Sequence, residues 1–346
     1  MTSKQKSVPS ENPSKVTFPD VLKVMLDESK PFHPRYLYHL SDLEEPQLQQ
    51  LEDVWSQVTD QRRQSILEDI EELGETNLTL SFEEFSRFTV RDSDPRVREL
   101  SVRVLWEYES PSLAPLYLDL LAKDSQVNVR AVAATALGKF VYLGEIDDLP
   151  QEMLDQIVDR LLEIYRSSEA QQVRRSALES LGYSSREEVN SLIESAYHSG
   201  VQDWIASALI AMSRTAHQKW EPYVIEMLES DEDDVRYEAA RAAGELETKK
   251  AKPLLMAMLD DSSSEIRMAA IWSLSQIGGE GVEDALIQLY EETEDDEEAD
   301  LIDLALDNLS FTEDMQLFTM LEYSPDDDEE DEEDWVEFYN LDEEDD

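Results

Sequence analysis

One helical phrase, roughly V-R-x-x-A-x-x-A-L-G, recurs along this chain between Val97 and Ser310. Clear copies open at Val97-Arg98, Val129-Arg130, Val173-Arg174, Val235-Arg236 and Ile266-Arg267; a degenerate copy opens at Trp204-Ile205 and a blurred one at Leu301-Ile302. The second positions step by 32, 44, 31, 31, 31 and 35 residues. Counting Val as position 0, the apolar positions 0, 4, 7 and 8 fall on one face of an α-helix. A single such helix cannot bury that face, so a period near 31 predicts a stack of helix pairs. The expected fold is an all-α, right-handed α-solenoid of about seven to eight pairs.

In the copy at Val129 the core positions are Val129, Ala133, Ala136 and Leu137. Small alanines allow close helix approach, and Gly138 is expected to serve the following turn. The helix before it carries larger residues such as Leu116, Leu120 and Leu121. Asp/Ser turns precede the phrase (Asp92 to Pro95, Asp124-Ser125, Ser230-Asp231, Asp260 to Ser262), where side chains cap helix ends.

These residues resemble the HEAT-repeat family, in particular the bacterial form similar to the repeats of phycobilisome lyases. The resemblance covers about 80–310 and extends to 46–73 as a diverged first pair. It implies that an Asp six residues before each Arg forms a ladder with it along the stack. Asp92/Arg98, Asp124/Arg130 and Asp261/Arg267 match; Ser168/Arg174 and Ser230/Arg236 depart, and Ser199/Ile205 lacks both partners. The ladder is therefore expected to break at these copies.

The organisation expected is a disordered leader over 1–16, a helical cap and diverged first pair over 17–79, the solenoid over 80–323 and an acidic disordered tail over 324–346. In the cap, helices are expected from Phe18, from Pro46 through Val58 and from Asp60 through Leu73. Ser81 with Glu84 reads as a capping box for a helix through Val90. The long step places a surface loop over Tyr142 to Pro150. A final helix, about Glu313 to Tyr323, is expected to cap the stack.

Charge is concentrated at one end. The formal net charge is −52, and from Met268 to Asp346 there are 31 acidic residues and no Lys or Arg. Such a field repels nucleic-acid phosphates and anionic membranes and attracts cationic proteins. The chain has no cysteine, which excludes disulfides and thiolate chemistry and fits a reducing cytoplasm. The polar start has no signal-peptide core, and the longest apolar stretch, near Trp204 to Met212, is too short to span a bilayer. A soluble cytoplasmic protein is expected.

No catalytic constellation emerges. His33, His39, His198 and His217 are scattered without a His-Glu pair, and neither G-x-S-x-G nor a phosphate loop occurs. Ile277 to Gly281 is glycine-rich but falls where a repeat turns. The carboxylate runs at Asp231 to Asp234 and Glu294 to Asp300 lack the glycine-turned spacing of a calcium loop. No cofactor or metal is expected.

The expected function is a non-catalytic scaffold or adaptor for a basic protein partner, with an acidic chaperone of basic proteins as one version. The contrasting class is an enzyme or accessory factor like the phycobilin lyases. Salt adaptation, suggested by 11 Lys against 18 Arg, would leave the charge without a partner. The resemblance implies a concave face lined by positions 2 and 6 of the phrase. Those positions supply the candidate groove residues Arg103, Arg175, Tyr237, Arg241, Met268 and Trp272, since Arg, Tyr and Trp dominate interface hot spots. Trp335, Phe338 and Tyr339 form a second candidate motif within the acidic tail, which could fold back onto the groove.

Overall fold

The computed structural model describes residues 16–77 and 79–322, with side chains placed as far as Phe311. The expected tail motif (Trp335, Phe338, Tyr339) and nearly all of the leader lie outside the described residues. The chain divides into two compact units, one ending at Gly200 and the other beginning at Val201. Among the described residues every regular element is helical.

In the first unit, α1 spans Phe18–Leu26, α2 Glu45–Trp55, α3 Asp60–Thr76, α4 Glu83–Thr89 and α5 Pro95–Leu105. There follow α6 (Leu113–Lys123), α7 (Val127–Glu145), α8 (Gln151–Arg166), α9 (Gln171–Leu181) and α10 (Glu187–Tyr197). Helices α3, α5, α7 and α9 pack in series, and α4, α6 and α8 each pair with the helix that follows. This is solenoid stacking, and the phrase marks the helix that stacks. Its predicted core positions are buried, as Val129, Ala133, Ala136 and Leu137 illustrate.

The second unit repeats the logic. Its helices are α11 (Gln202–Arg214), α12 (Glu221–Met227), α13 (Asp233–Glu245), α14 (Lys252–Met258), α15 (Ser264–Ile277), α16 (Val282–Glu292) and α17 (Asp296–Glu322). Helices α11, α13, α15 and α17 pack in series, with α12, α14 and α16 against their successors. The glycine-rich turn is where the sequence puts it: Gly278, Gly279 and Gly281 all adopt positive φ between α15 and α16.

The start of the first unit has an aromatic core. Trp55 meets Phe85 edge-on at 5.5 Å and Phe88 at 6.0 Å, and the surrounding cluster takes in Val21, Leu37, Leu51, Ile66 and Leu100. Thr17 and Asp20 close a capping box on α1. The capping box expected at Ser81 does not form. Phe82 is the N-cap of α4, and the Ser81 backbone instead pairs with the loop at Ser41 and Asp42.

Three other expectations fail for packing reasons. Gly138 is not a turn residue: it is buried inside α7, where an added Cβ would lie 2.9 Å from Ser180 Oγ. Gly244 plays the same part in α13, with Trp272 at 2.6 Å and Ser273 at 2.7 Å. The glycine lets the next stacked helix approach, and a serine at position 7 of that helix uses the proximity. Ser180 Oγ donates to Ala134 O at 2.8 Å and Ser273 Oγ to Ala240 O at 2.7 Å. The insert over 142–150 is no simple loop either, because α7 continues to Glu145 and Leu149 is buried. Finally, no separate capping helix begins at Glu313, because the last phrase and that segment form the single helix α17.

Candidate functional site

The repeat arginines are structural, and their geometry shows how. Arg98 Nη1 donates to Asp92 O at 2.8 Å, while Nε and Nη2 grip the Asp124 carboxylate of the next repeat at 2.7 and 2.9 Å. Arg130 repeats this with Asp124 O and the Glu169 carboxylate. In the second unit Arg236 binds Ser230 O and Asp261, and Arg267 binds Asp261 O and the buried Glu298. Each guanidinium thus clasps a carbonyl six residues back and a carboxylate one repeat ahead.

The serine at Ser230 therefore does not break the ladder, whereas the copy at Ile205 has no arginine to continue it. At Ser230 only the backbone carbonyl is needed, and beyond Arg130 the carboxylate comes from Glu169, one residue after Ser168. Arg174 differs, donating to Tyr165 O at 2.8 Å and lying over the Tyr165 ring. The ladder starts earlier than expected. Buried Arg63 pairs with buried Asp92, which also accepts from Trp55 Nε1. Burial pushes the Asp124 carboxyl up, but hydrogen bonds from Arg98 and the Gln126 amide outweigh it and hold its pKa low. Glu169 is lowered chiefly by its hydrogen bond from Arg130.

The variable positions outline a cleft in the first unit, about 560 Å³ in volume. Helix α3 contributes Ile70, Glu71, Gly74 and Glu75, α5 contributes Val102 and Arg103 beside Trp106, and α7 contributes Val132 and Thr135. Ile70, Phe82, Val102 and Val104 are buried and give the cleft an apolar floor. Arg103, predicted from position 6, is the cation of the rim, but its Nε donates to Glu71 at 2.6 Å. Among the described residues neither Glu75 nor Glu107 has an ion-pair partner. The rim therefore carries excess negative charge.

Sequence reasoning missed much of this site. Trp106 occupies position 9, where three copies have glycine, and its 38% exposure at the cleft follows from that departure. Glu71, Gly74 and Glu75 lie on α3, outside any copy of the phrase, so the repeat gave no signal for them.

Tyr237, Arg241 and Trp272 of the second predicted cluster come together. Arg241 interacts electrostatically with Tyr237, lies 5.8 Å from the Trp272 ring centroid and reaches Glu245 at 3.4 Å. Burial opposes the Arg241 charge, but Tyr237 and Glu245 overcome it and raise its pKa. Trp272 also covers Gly244, so part of its ring is a packing element. Met268 is half-buried and Arg175 sits half-buried on α9 of the first unit. The candidate residues therefore fall on both units.

The metal and histidine candidates acquire other roles. Glu298 serves Arg267 and Thr293, and Asp233 pairs with Arg236. His33 Nδ1 accepts from the Arg35 amide to open a short 3-10 turn. Among the described residues no cluster of three or more His, Asp or Glu side chains is arranged to hold a metal, and no helix is long and apolar enough to cross a membrane.

A ladder-stapled α-solenoid with variable residues on the faces of its stacked helices is the class that this architecture defines. Residues 84–155 and 221–306 match the family model of HEAT repeats. Three solved structures are similar. The YibA protein of Escherichia coli is 18% identical over 71% of this chain and 96% of its own, with a TM-score of 0.39. The complex of CpcE and CpcF of phycocyanin lyase from Nostoc sp. is 19% identical over 66% and 94%, with a TM-score of 0.44. Yeast importin-beta is 11% identical over 86% and 46%, also with a TM-score of 0.44. No curated protein matches the sequence.

Proposed function

We propose that this chain is a non-catalytic HEAT-repeat adaptor that binds a basic protein partner, with the cleft of the first unit as its principal site. The observation that carries the proposal is the pairing of an apolar floor with an acidic rim. Ile70, Phe82, Val102 and Val104 offer burial to an apolar side chain, while Glu75 and Glu107 await a cation. A segment with Lys or Arg beside a large apolar residue satisfies both requirements. A net charge of −52 adds long-range attraction, which speeds encounter and penalises acidic competitors.

The aromatic–Arg cluster at Tyr237, Arg241, Met268 and Trp272 is a second contact region in this proposal, since such residues make strong anchors. The acidic rim disfavours the tail as an occupant of the first-unit cleft, because 15 of residues 325–346 are acidic and none is basic. The test is affinity capture with the full chain and with its E75Q/E107Q variant, followed by mass spectrometry. The expected result is basic proteins recovered by the native chain, released by salt and lost from the variant. Equal recovery by both would reject the cleft as the binding site.

A further inference from the structure

Helix α17 departs from the other stacked helices of the second unit on the face formed by positions 3, 6 and 10 of the phrase. In α13 positions 3 and 10 are Glu238 and Glu245, and in α15 position 3 is the buried Ala269 and position 10 is Gln276. In α17 the same positions are Leu304 and Phe311, each 66% exposed. Ile302, Ala305 and Leu309 of α17 are buried, and the helix packs on α15. At 100° per residue the exposed pair lies about half a turn from that buried stripe. Helix α17 is thus apolar on two opposite sides.

Charge decides what can cover this stripe. Asp300, Asp303 and Asp307 run beside it, all exposed, and no Lys or Arg occurs after Arg267. A second copy would bring its own aspartates against these. The tail would bring 15 more acids. Like charges set against one another across a contact oppose it. An amphipathic helix with Lys or Arg along one edge of its apolar stripe would bury Leu304 and Phe311 and pair with the aspartates.

We propose that the exposed face of α17 is a docking surface for a cationic amphipathic helix of a partner protein. It is independent of the cleft in the first unit, and either site can fail without the other. The surface uses helix-in-groove recognition: apolar anchors at i and i+7 give affinity and the flanking acids set polarity and partner sign.

The test is fluorescence anisotropy with the full chain and three synthetic 18-residue Leu/Lys peptides. One has an amphipathic helical pattern, one has the same composition scrambled so that no stripe forms, and one carries Glu in place of Lys. Binding is expected for the first and at least tenfold weaker for the other two. L304S/F311S should weaken the first peptide by at least tenfold. D303N/D307N should weaken it less and flatten its salt dependence, and both effects should persist in an E75Q/E107Q background, where the first-unit cleft has lost its acidic rim. Because all four α17 side chains are exposed, circular dichroism should remain native, and the asparagine variant tests the surface even if the serine variant misfolds. Equal binding of patterned and scrambled peptides would overturn the proposal. So would a dimer in sedimentation equilibrium that L304S/F311S dissociates, or tighter peptide binding in W335S/F338S/Y339S, which would identify a second copy or the tail as the occupant.

Discussion

Arg98 connects two repeats through one guanidinium, and its removal should be costly for a definable reason. Arg98→Ala would leave the nearly buried Asp124 carboxylate without its cation, a loss of about 3 kcal/mol. Urea unfolding should show it, and R98A/D124N should recover part of the loss. The pH dependence has a fixed sign. Asp124 and Glu169 titrate lower in the folded chain than in the unfolded one. Their stabilisation is therefore complete above the ordinary carboxylate range of about 4 and is lost as pH falls through the depressed folded values. The stability gap between the native chain and D124N should be constant at neutral pH and shrink below about pH 4. The sequence announced the arginines but not the direction of their bonds. A carbonyl acceptor has no side-chain signature, which is why Ser230 looked like a break.

At the scale of the helix, glycine position decides spacing. Gly244→Ala would force the Trp272 ring and the Ser273 backbone away from α13, costing about 1–3 kcal/mol, and Gly138→Ala should behave alike at Ser180. Gly74→Ala is the control. Nothing lies within 4 Å of its added Cβ, so removing a helical glycine from α3 should stabilise the chain by about 0.5–1 kcal/mol. Thermal melts of the three variants separate these outcomes. The helices themselves were legible because periodicity and caps act locally. Gly138 was misread because a glycine at the end of a repeat phrase looks alike whether it ends a helix or admits a neighbour. Only the position of Ser180, 42 residues away, distinguishes the two. The extension of α7 through Glu145 and the fusion into α17 were hidden likewise, since neither boundary carries a strong helix breaker.

For the whole molecule, net charge is the dominant long-range term. At −52 the folded chain repels itself, and modest salt should raise its melting temperature by screening that repulsion while weakening partner binding. Opposite salt responses of stability and affinity are the signature of acidity that serves recognition. The repeat made the solenoid class readable, because a 31-residue period has few other physical solutions. The cleft was only partly readable. Arg103 follows from position 6, but Glu71 and Glu75 come from a helix pair that no longer carries the phrase. The most direct measurement is hydrogen exchange of the full chain with and without a peptide bearing alternating Lys and large apolar residues. New protection is expected in α3, α5 and α7 around Ile70 to Glu75, Val102 to Tyr108 and Val132 to Thr135, abolished in E75Q/E107Q. Peptide binding without protection there, or protection that persists in the variant, would contradict that expectation.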